Sequence, residues 1–143
     1  MGSELPAFEL VPPGRMRDML VDAVLRGVKT ATSRMQVMDQ MAGIEPETPG
    51  TRMSLMDSDR NPVATIVIRS VRHLPLSDVG DDVALAEGDW FDGVAAWREA
   101  HERFWSKYVQ PARDYLDNPE WAIGDDTMVT VRFFDVKQPP SPA

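Results

Sequence analysis

The stretch that most constrains the fold is Gly27 to Arg34, which reads Gly-Val-Lys-Thr-Ala-Thr-Ser-Arg. Before this stretch, apolar residues recur at helical spacing, and the residues after it are compatible with a β-strand. Glycine is common where a helix ends, because it adopts the left-handed backbone conformation at little cost. We therefore predict a helix from about 14 to 26, a corner at Gly27 and regular structure beyond it. A lysine, three hydroxyl groups and an arginine would crowd that corner.

The remaining pattern predicts an α+β domain. The predicted apolar stripe of the first helix consists of Met16, Met19, Leu20, Ala23, Val24 and Gly27. After the corner, the pattern predicts a short helix or a mobile segment over 35–42, a strand over 51–56 and a strand over 63–71 that continues toward Pro75. It then predicts helices over 77–87 and 92–108 with Ser77 and Asp92 as candidate caps, an irregular linker over 111–126 and a strand over 127–136. Strands that are separated in sequence, with helices grouped between them, favour a small curled or barrel-like sheet flanked by helices.

Length and composition narrow the domain organisation and the chemistry. The 143 residues fit one domain spanning 1–143, with a core at about 14–136 and a disordered tail at 137–143. Because the chain has no cysteine, it has no thiolate nucleophile. Its two histidines lie in different predicted elements. A multi-histidine metal site is therefore excluded unless subunits share ligands, and nothing in the sequence supports a metal held by carboxylates alone, so we expect no metal. We also expect no cofactor, since nucleotide-binding loop motifs are absent. No apolar run approaches the length of a membrane span, and the cytoplasm is the default location.

The charge distribution limits the range of partners. A formal net charge of −8 opposes a general nucleic-acid binder, because such affinity comes mostly from cations that neutralise phosphates. Residues 15–34, however, carry five cations against two anions. Arg15, Arg17 and Arg26 are therefore candidate phosphate contacts. The alternative is an ordinary solvated helix face.

Lys29 and Thr32 are the first candidate catalytic pair. A threonine hydroxyl is a weak nucleophile at neutral pH, and a lysine can accept its proton only if burial or a cationic neighbour such as Arg34 lowers the lysine pKa. In a regular strand Lys29 would point away from Thr32, so the two converge only if the junction bends. The alternative is a solvated lysine beside ordinary strand hydroxyls.

Two further features supply candidate acid–base groups. Glu87-Gly88-Asp89 places two carboxylates at a glycine-containing link between predicted helices. A carboxylate close to Lys29 would hold the lysine protonated, whereas one kept neutral by burial could act as a general acid. His101 shares a helix face with aromatic residues. The alternatives are a polar turn for the carboxylates and a packing role for the histidine.

Gly27, Lys29, Thr32 and Arg34 match the GxKxxTxR signature of ASCH domains, which are PUA-like modules named for homology to an activating signal cointegrator. The chain resembles bacterial members of this family over about residues 14–136. Further matching features are Pro49-Gly50, Glu87-Gly88-Asp89, Trp97-Arg98 with His101, Phe104-Trp105 and Arg132-Phe133-Phe134. The resemblance implies a small β-barrel flanked by helices, with a cleft in which the signature faces Glu87.

The resemblance also implies three kinds of function, because family members are described as RNA-binding proteins, ribonucleases and amidohydrolases acting on N4-acetylcytidine. Our first hypothesis is an amidohydrolase of a modified nucleoside, with Lys29, Thr32 and either Glu87 or Asp89 as catalytic residues. Residues expected to contact the ligand are Gly27, Thr30, Arg34, Trp90 and His101. The second hypothesis is an RNA-binding module, with or without ribonuclease activity, in which Trp90 stacks on a base.

Overall fold

Strands rich in β-branched and aromatic residues form a five-stranded sheet in the computed structural model, which describes residues 5–88 and 90–137. The strands are β1 (Ala7–Phe8), β2 (Ala31–Met35), β3 (Arg52–Met56), β4 (Pro62–Pro75) and β5 (Met128–Lys137). The helices are α1 (Arg15–Leu25), α2 (Gln36–Ala42), α3 (Asp81–Glu87), α4 (Val94–Trp105) and α5 (Val109–Leu116). None of the helices in these two ranges is long and apolar enough to cross a membrane.

The strand order in the sheet is β1-β3-β4-β5-β2. β1 runs parallel to β3, and the other neighbouring pairs are antiparallel. The predicted α+β class is confirmed, and the small sheet is barrel-like without being closed. Within the described part of the chain, β1 and β2 are its two ends. The Gly27–Arg34 stretch therefore enters the sheet at an edge strand.

Side chains from both faces of the sheet build two apolar clusters. On one face, Val131 and Phe133 of β5 pack with Met35 and with Trp97 and Trp105 of α4. The other cluster contains Phe8, Val21, Val24, Met53, Leu55, Ala64, Ile66, Ile68 and Phe134. Fully burying one Leu, Ile or Phe side chain contributes about 2 kcal/mol to the free energy of folding. Burial of these two clusters therefore holds β2 and the helices packed on the sheet in place.

Helix α1 lies within one residue of its predicted bounds at each end, but its predicted apolar stripe is partly wrong. Met16 and Met19 are 53% and 63% exposed, so they are not core residues, whereas Arg17 is only 2% exposed. The Arg17 guanidinium donates hydrogen bonds to the carbonyl oxygens of Val11 and Asp57 and pairs with Glu9. These acceptors compensate the charge of the buried Arg17. Helical spacing does not reveal them, because they lie outside the helix.

Three other predicted boundaries differ from the structure. α3 begins at Asp81 after a 3-10 turn over Leu76–Asp78, so Ser77 does not cap it. α4 begins after Gly93, and the Asp81 carboxylate, rather than Asp92, accepts a hydrogen bond from its first amide. The first part of the predicted linker belongs to α5, which begins at Val109, and β5 extends to Lys137. The rest of the predicted tail, 138–143, lies outside the described residues.

Candidate functional site

The corner predicted at Gly27 is present and directs Lys29 inward. Gly27 has a φ of 79°, in the left-handed region, and its amide donates to the Val24 carbonyl oxygen. The amides of Val28 and Lys29 both donate to the Ala23 carbonyl oxygen. These bonds fold the chain back over the end of α1. Lys29 consequently reaches the interior before β2 begins, at the bend that was predicted for this junction.

An open cleft of about 770 Å³ lies beside this corner. It is lined by the segment before α1, by one side of α1, by β2 and by the residues around α3 and α4. The sequence-predicted residues that line it are Lys29, Thr32, Arg34, Glu87, Trp90, His101, Arg17 and Arg26. The structure therefore brings most of the predicted site residues to one concave surface.

Glu87 is the most highly coordinated group of the cleft. It is 2% exposed, and its Oε2 accepts hydrogen bonds from Ser33 Oγ at 2.5 Å and from Trp97 Nε1 at 2.8 Å. Its Oε1 lies 3.4 Å from Lys29 Nζ and 3.3 Å from His101 Nε2. Burial alone would raise the pKa of this carboxyl, but the Lys29 charge and the bonds from His101 and Ser33 lower it to about 2. Glu87 is therefore ionised at neutral pH.

Lys29 is 3% exposed and has two acceptors, Glu87 Oε1 and the Glu87 carbonyl oxygen, both at 3.4 Å from Nζ. Burial lowers the pKa of Lys29, although the Glu87 carboxylate opposes this shift. The solvated lysine of the alternative interpretation is thus not what the structure contains. A buried lysine with a lowered pKa is suited to accept a proton.

The hydroxyl groups of β2 have different partners. Thr30 has a structural role, because its amide and its hydroxyl both donate hydrogen bonds to the Ala86 carbonyl oxygen, at 2.7 and 3.3 Å. Ser33 is bound to Glu87. Thr32 is half-buried, lines the cleft, and its side chain makes no hydrogen bond to any other residue that the structure describes. Of the three, Thr32 is the hydroxyl left available to a ligand.

His101 contacts both the carboxylate and an aromatic cluster. Its ring stacks on Trp97 at 4.2 Å between centroids and meets the edge of Trp105 at 5.1 Å. Its Nδ1 lies 2.8 Å from the Trp97 carbonyl oxygen. The histidine is therefore a packing residue that also faces Glu87.

The arginines near the cleft are mostly paired. Arg34 is about one-third exposed, and its Nε lies 3.1 Å from the Asp39 carboxylate. Arg26 is exposed and pairs with Asp22 at 2.8 Å, and Arg15 is exposed outside the cleft. The phosphate contact expected of Arg17 does not fit the structure, because its guanidinium is buried in the contacts given above.

Trp90 provides an exposed aromatic surface at the rim. It is 47% exposed, and its ring lies against Gly88, where an added Cβ would come within 2.5 Å of the ring. A glycine is required there because any side chain would displace the indole. Gly27 shapes the corner but does not line the cleft. Asp89, the other candidate acid, lies outside the described residues.

Ser33 and Trp97 are site residues whose contacts with Glu87 the sequence analysis did not predict. In the sequence, Ser33 is one of three hydroxyls near the corner, and Trp97 is one aromatic residue of a helix face. A signal was present in the chain: a buried Trp usually needs an acceptor for its indole N–H, and a buried carboxylate needs donors. Among residues 5–88 and 90–137, no group of three or more His, Cys, Asp or Glu residues could hold a metal ion.

The sheet, its flanking helices and the cleft define a PUA-like domain, which is an RNA-binding type of fold. The sequence profile of the ASCH domain matches residues 8–138, so the chain belongs to the ASCH domain family. No functionally curated protein matches the chain by sequence.

Two solved structures share the fold. An ASCH domain from Lactobacillus crispatus JV V101 has a TM-score of 0.77 and 23% identity, over 93% of this chain and 79% of that one. A protein from Enterococcus faecalis V583 has a TM-score of 0.76 and 23% identity, over 95% of this chain and 77% of that one.

Proposed function

We propose that the cleft binds a nucleobase-containing ligand and hydrolyses an amide on a modified nucleoside such as N4-acetylcytidine. The observation that carries this proposal is the buried pair of Lys29 and Glu87 at an open cleft that Thr32 also lines. Burying two ionisable groups is costly for stability, so such pairs are concentrated at functional sites.

Thr32 is the nucleophile in this proposal. Lys29 Nζ accepts the hydroxyl proton while Thr32 Oγ bonds to the acetyl carbon. The bond between that carbon and N4 then breaks, and Lys29 returns the proton to N4, so that cytidine leaves with an amino group. Water cleaves the resulting acetyl-threonine ester, which releases acetate and restores the hydroxyl.

Glu87 holds Lys29 in place and does not supply the proton. A carboxyl with a pKa of about 2 is deprotonated at neutral pH and cannot protonate the leaving amine. Both of its oxygens already accept hydrogen bonds. The surroundings of Glu87 therefore support a role in orienting Lys29 rather than the role of a general acid.

The charges around the cleft favour a nucleoside over a polynucleotide. Arg26 and Arg34 are each paired with a carboxylate, and the whole chain carries a net charge of −8. A nucleoside has no phosphate, so it needs no free cations for binding.

The test is turnover of N4-acetylcytidine by the wild type and by Lys29→Met and Thr32→Ala. We expect each variant to lose at least about 100-fold in kcat/KM, because each lacks a group that moves a proton or forms the covalent bond. Lys137→Ala, which changes an exposed lysine at the end of β5, is the matched control and should keep wild-type activity. Equal rates in the wild type and Lys29→Met, or no turnover by the wild type, would refute the proposal.

RNA binding is the second candidate, and the exposed Trp90 ring at the cleft favours it. A single-stranded RNA could stack a base on this ring while Arg15, Arg26 and Arg34 contact phosphates. Three such contacts would give a slope of about −2 for the logarithm of affinity against the logarithm of salt concentration. A titration with a short single-stranded RNA measures this slope, and an affinity that does not change with salt would exclude phosphate contacts.

A further inference from the structure

The two oxygens of the Glu87 carboxylate have different kinds of partners. Oε1 faces Lys29 Nζ and His101 Nε2, at 3.4 and 3.3 Å, and both of these groups can gain or lose a proton. Oε2 accepts hydrogen bonds from Ser33 Oγ and Trp97 Nε1, at 2.5 and 2.8 Å. A hydroxyl and an indole keep their hydrogens near neutral pH. Oε2 is therefore the oxygen through which the carboxylate is held while protons move at the other side.

Two donors from different elements define the orientation of this carboxylate. Ser33 belongs to β2 and Trp97 to α4, and the two residues are 7% and 0% exposed. A glutamate side chain has several rotatable bonds, so one hydrogen bond alone would let the carboxylate turn about it. A second donor at the same oxygen removes that freedom and leaves Oε1 directed toward Lys29.

The backbone around Glu87 is already attached to the segment that leads into β2. The Thr30 amide donates to the Ala86 carbonyl oxygen at 2.7 Å, and Lys29 Nζ lies 3.4 Å from the Glu87 carbonyl oxygen. The end of α3 is therefore fixed beside β2, and the freedom that remains to Glu87 is that of its side chain. Ser33 is the β2 residue that bonds to this side chain.

The Ser33 hydroxyl is not available as a second nucleophile. Its hydrogen is donated to Glu87 Oε2, and a carboxylate with a pKa of about 2 is too weak a base to remove that proton. The side chain of Thr32, in contrast, makes no hydrogen bond to another residue in the described part of the chain. The role left to Ser33 is therefore to hold Glu87.

We infer that Ser33 is a positioning residue, whose hydrogen bond to Oε2 holds the Glu87 carboxylate so that Oε1 stays beside Lys29. This inference rests on the proposed function in one respect, since the position of Lys29 matters to a reaction only if Lys29 accepts a proton. In Ser33→Ala, Trp97 would be the one donor left at Oε2 among the described residues, and the carboxylate would be free to turn. The substitution removes no group that contacts the substrate in the proposed reaction.

The kinetics of N4-acetylcytidine hydrolysis test this role. Ser33→Ala should lower kcat by about 10-fold and leave KM within about twofold, because a misplaced base slows the chemical step without changing the groups that bind the ligand. The matched control is Ser54→Ala, which changes a half-buried serine of β3 outside the cleft and should keep the wild-type kcat and KM. An unchanged kcat in Ser33→Ala would overturn the inference. A raised KM with an unchanged kcat would also overturn it, because Ser33 would then contact the ligand.

A measurement without substrate tests the hydrogen bond itself. The chain has four tryptophans, so NMR can resolve the indole N–H signal of Trp97. At neutral pH this signal should shift more in Ser33→Ala than in Ser54→Ala, because Trp97 then donates to Oε2 without a neighbouring hydroxyl. Equal shifts in the two variants would overturn the inference. In the wild type, the Ser33 hydroxyl proton should be protected from exchange with water, and rapid exchange would overturn the inference even if the variant did not fold.

The two measurements separate this inference from the proposed function. A wild type without N4-acetylcytidine turnover, but with the shifted Trp97 signal in Ser33→Ala, would refute the proposed reaction and leave Ser33 as the group that holds Glu87. Turnover by the wild type with an undiminished kcat in Ser33→Ala would refute the inference and leave the proposed reaction standing.

Discussion

At the scale of single residues, Glu87 shows how one buried carboxylate is fixed from several parts of the chain. Lys29 reaches it from the corner after α1, Ser33 from β2, and Trp97 and His101 from α4. The sequence placed Lys29 and Glu87 in one pocket through the resemblance to ASCH domains. The Ser33 and Trp97 contacts could not be derived in this way, because they depend on which face of β2 and of α4 turns toward α3.

Glu87 should make the fold sensitive to acid. Because its pKa falls from 4.5 in the unfolded chain to about 2 in the fold, the unfolded state binds more protons between these values. The stabilisation is therefore complete above pH 4.5 and is lost as the pH falls toward 2, amounting to about 3 kcal/mol. Urea unfolding of the wild type and Glu87→Gln across this range should show a stability difference that shrinks with acid. Glu99→Gln, at an exposed helical ion pair, should show no such trend.

At the scale of elements, the junction between α1 and β2 depends on one backbone conformation. Helical spacing correctly predicted where α1 ends, because Gly27 is a local signal. The same spacing assigned the wrong face to Met16 and Met19, since it does not show that Arg17 is covered by the preceding segment and by the turn between β3 and β4. Which face of a helix is buried depends on these distant neighbours.

Gly27→Ala should destabilise the fold by about 1 kcal/mol, because the left-handed conformation at a φ of 79° is costly for a residue with a Cβ. No atom lies within 4 Å of an added Cβ there, so the effect should come from the backbone rather than from a clash. Gly124→Ala is the control, because its backbone is not left-handed and its nearest contact is 3.8 Å. Chemical denaturation measures both values, and an equal loss in the two variants would contradict the conformational explanation.

At the scale of the whole molecule, a buried ionic cluster holds α2 and the loop after it against the sheet. Arg132 of β5 bonds to Asp39 of α2 at 2.8 Å and also to Glu47 of the loop. The sequence correctly predicted the α+β class and most elements. It gave no strand order, because the pairing of Thr65 with Lys137 joins residues far apart in the chain and leaves no local pattern.

Arg132→Met should lower the free energy of unfolding by about 3–5 kcal/mol, since it removes the cation that pairs with Glu47 and leaves Asp39 with Arg34 alone. The carboxylates of Asp39 and Glu47 are 6% and 14% exposed, so water cannot replace the lost bonds fully. The matched control is Arg69→Met, which breaks an exposed pair with Asp135 and should cost less than about 1 kcal/mol. Equal urea midpoints for the two variants would show that the cluster does not stabilise the fold.

The exposure of Met16 and Met19 has a consequence for handling the protein. Both thioethers line the cleft, where they are open to peroxides and other oxidants. Conversion to methionine sulfoxide would add a polar, chiral group to each side chain on this wall without disturbing the packed clusters. Aged preparations would then keep their secondary structure but bind apolar parts of a ligand less well, and treatment with methionine sulfoxide reductases would restore the original surface.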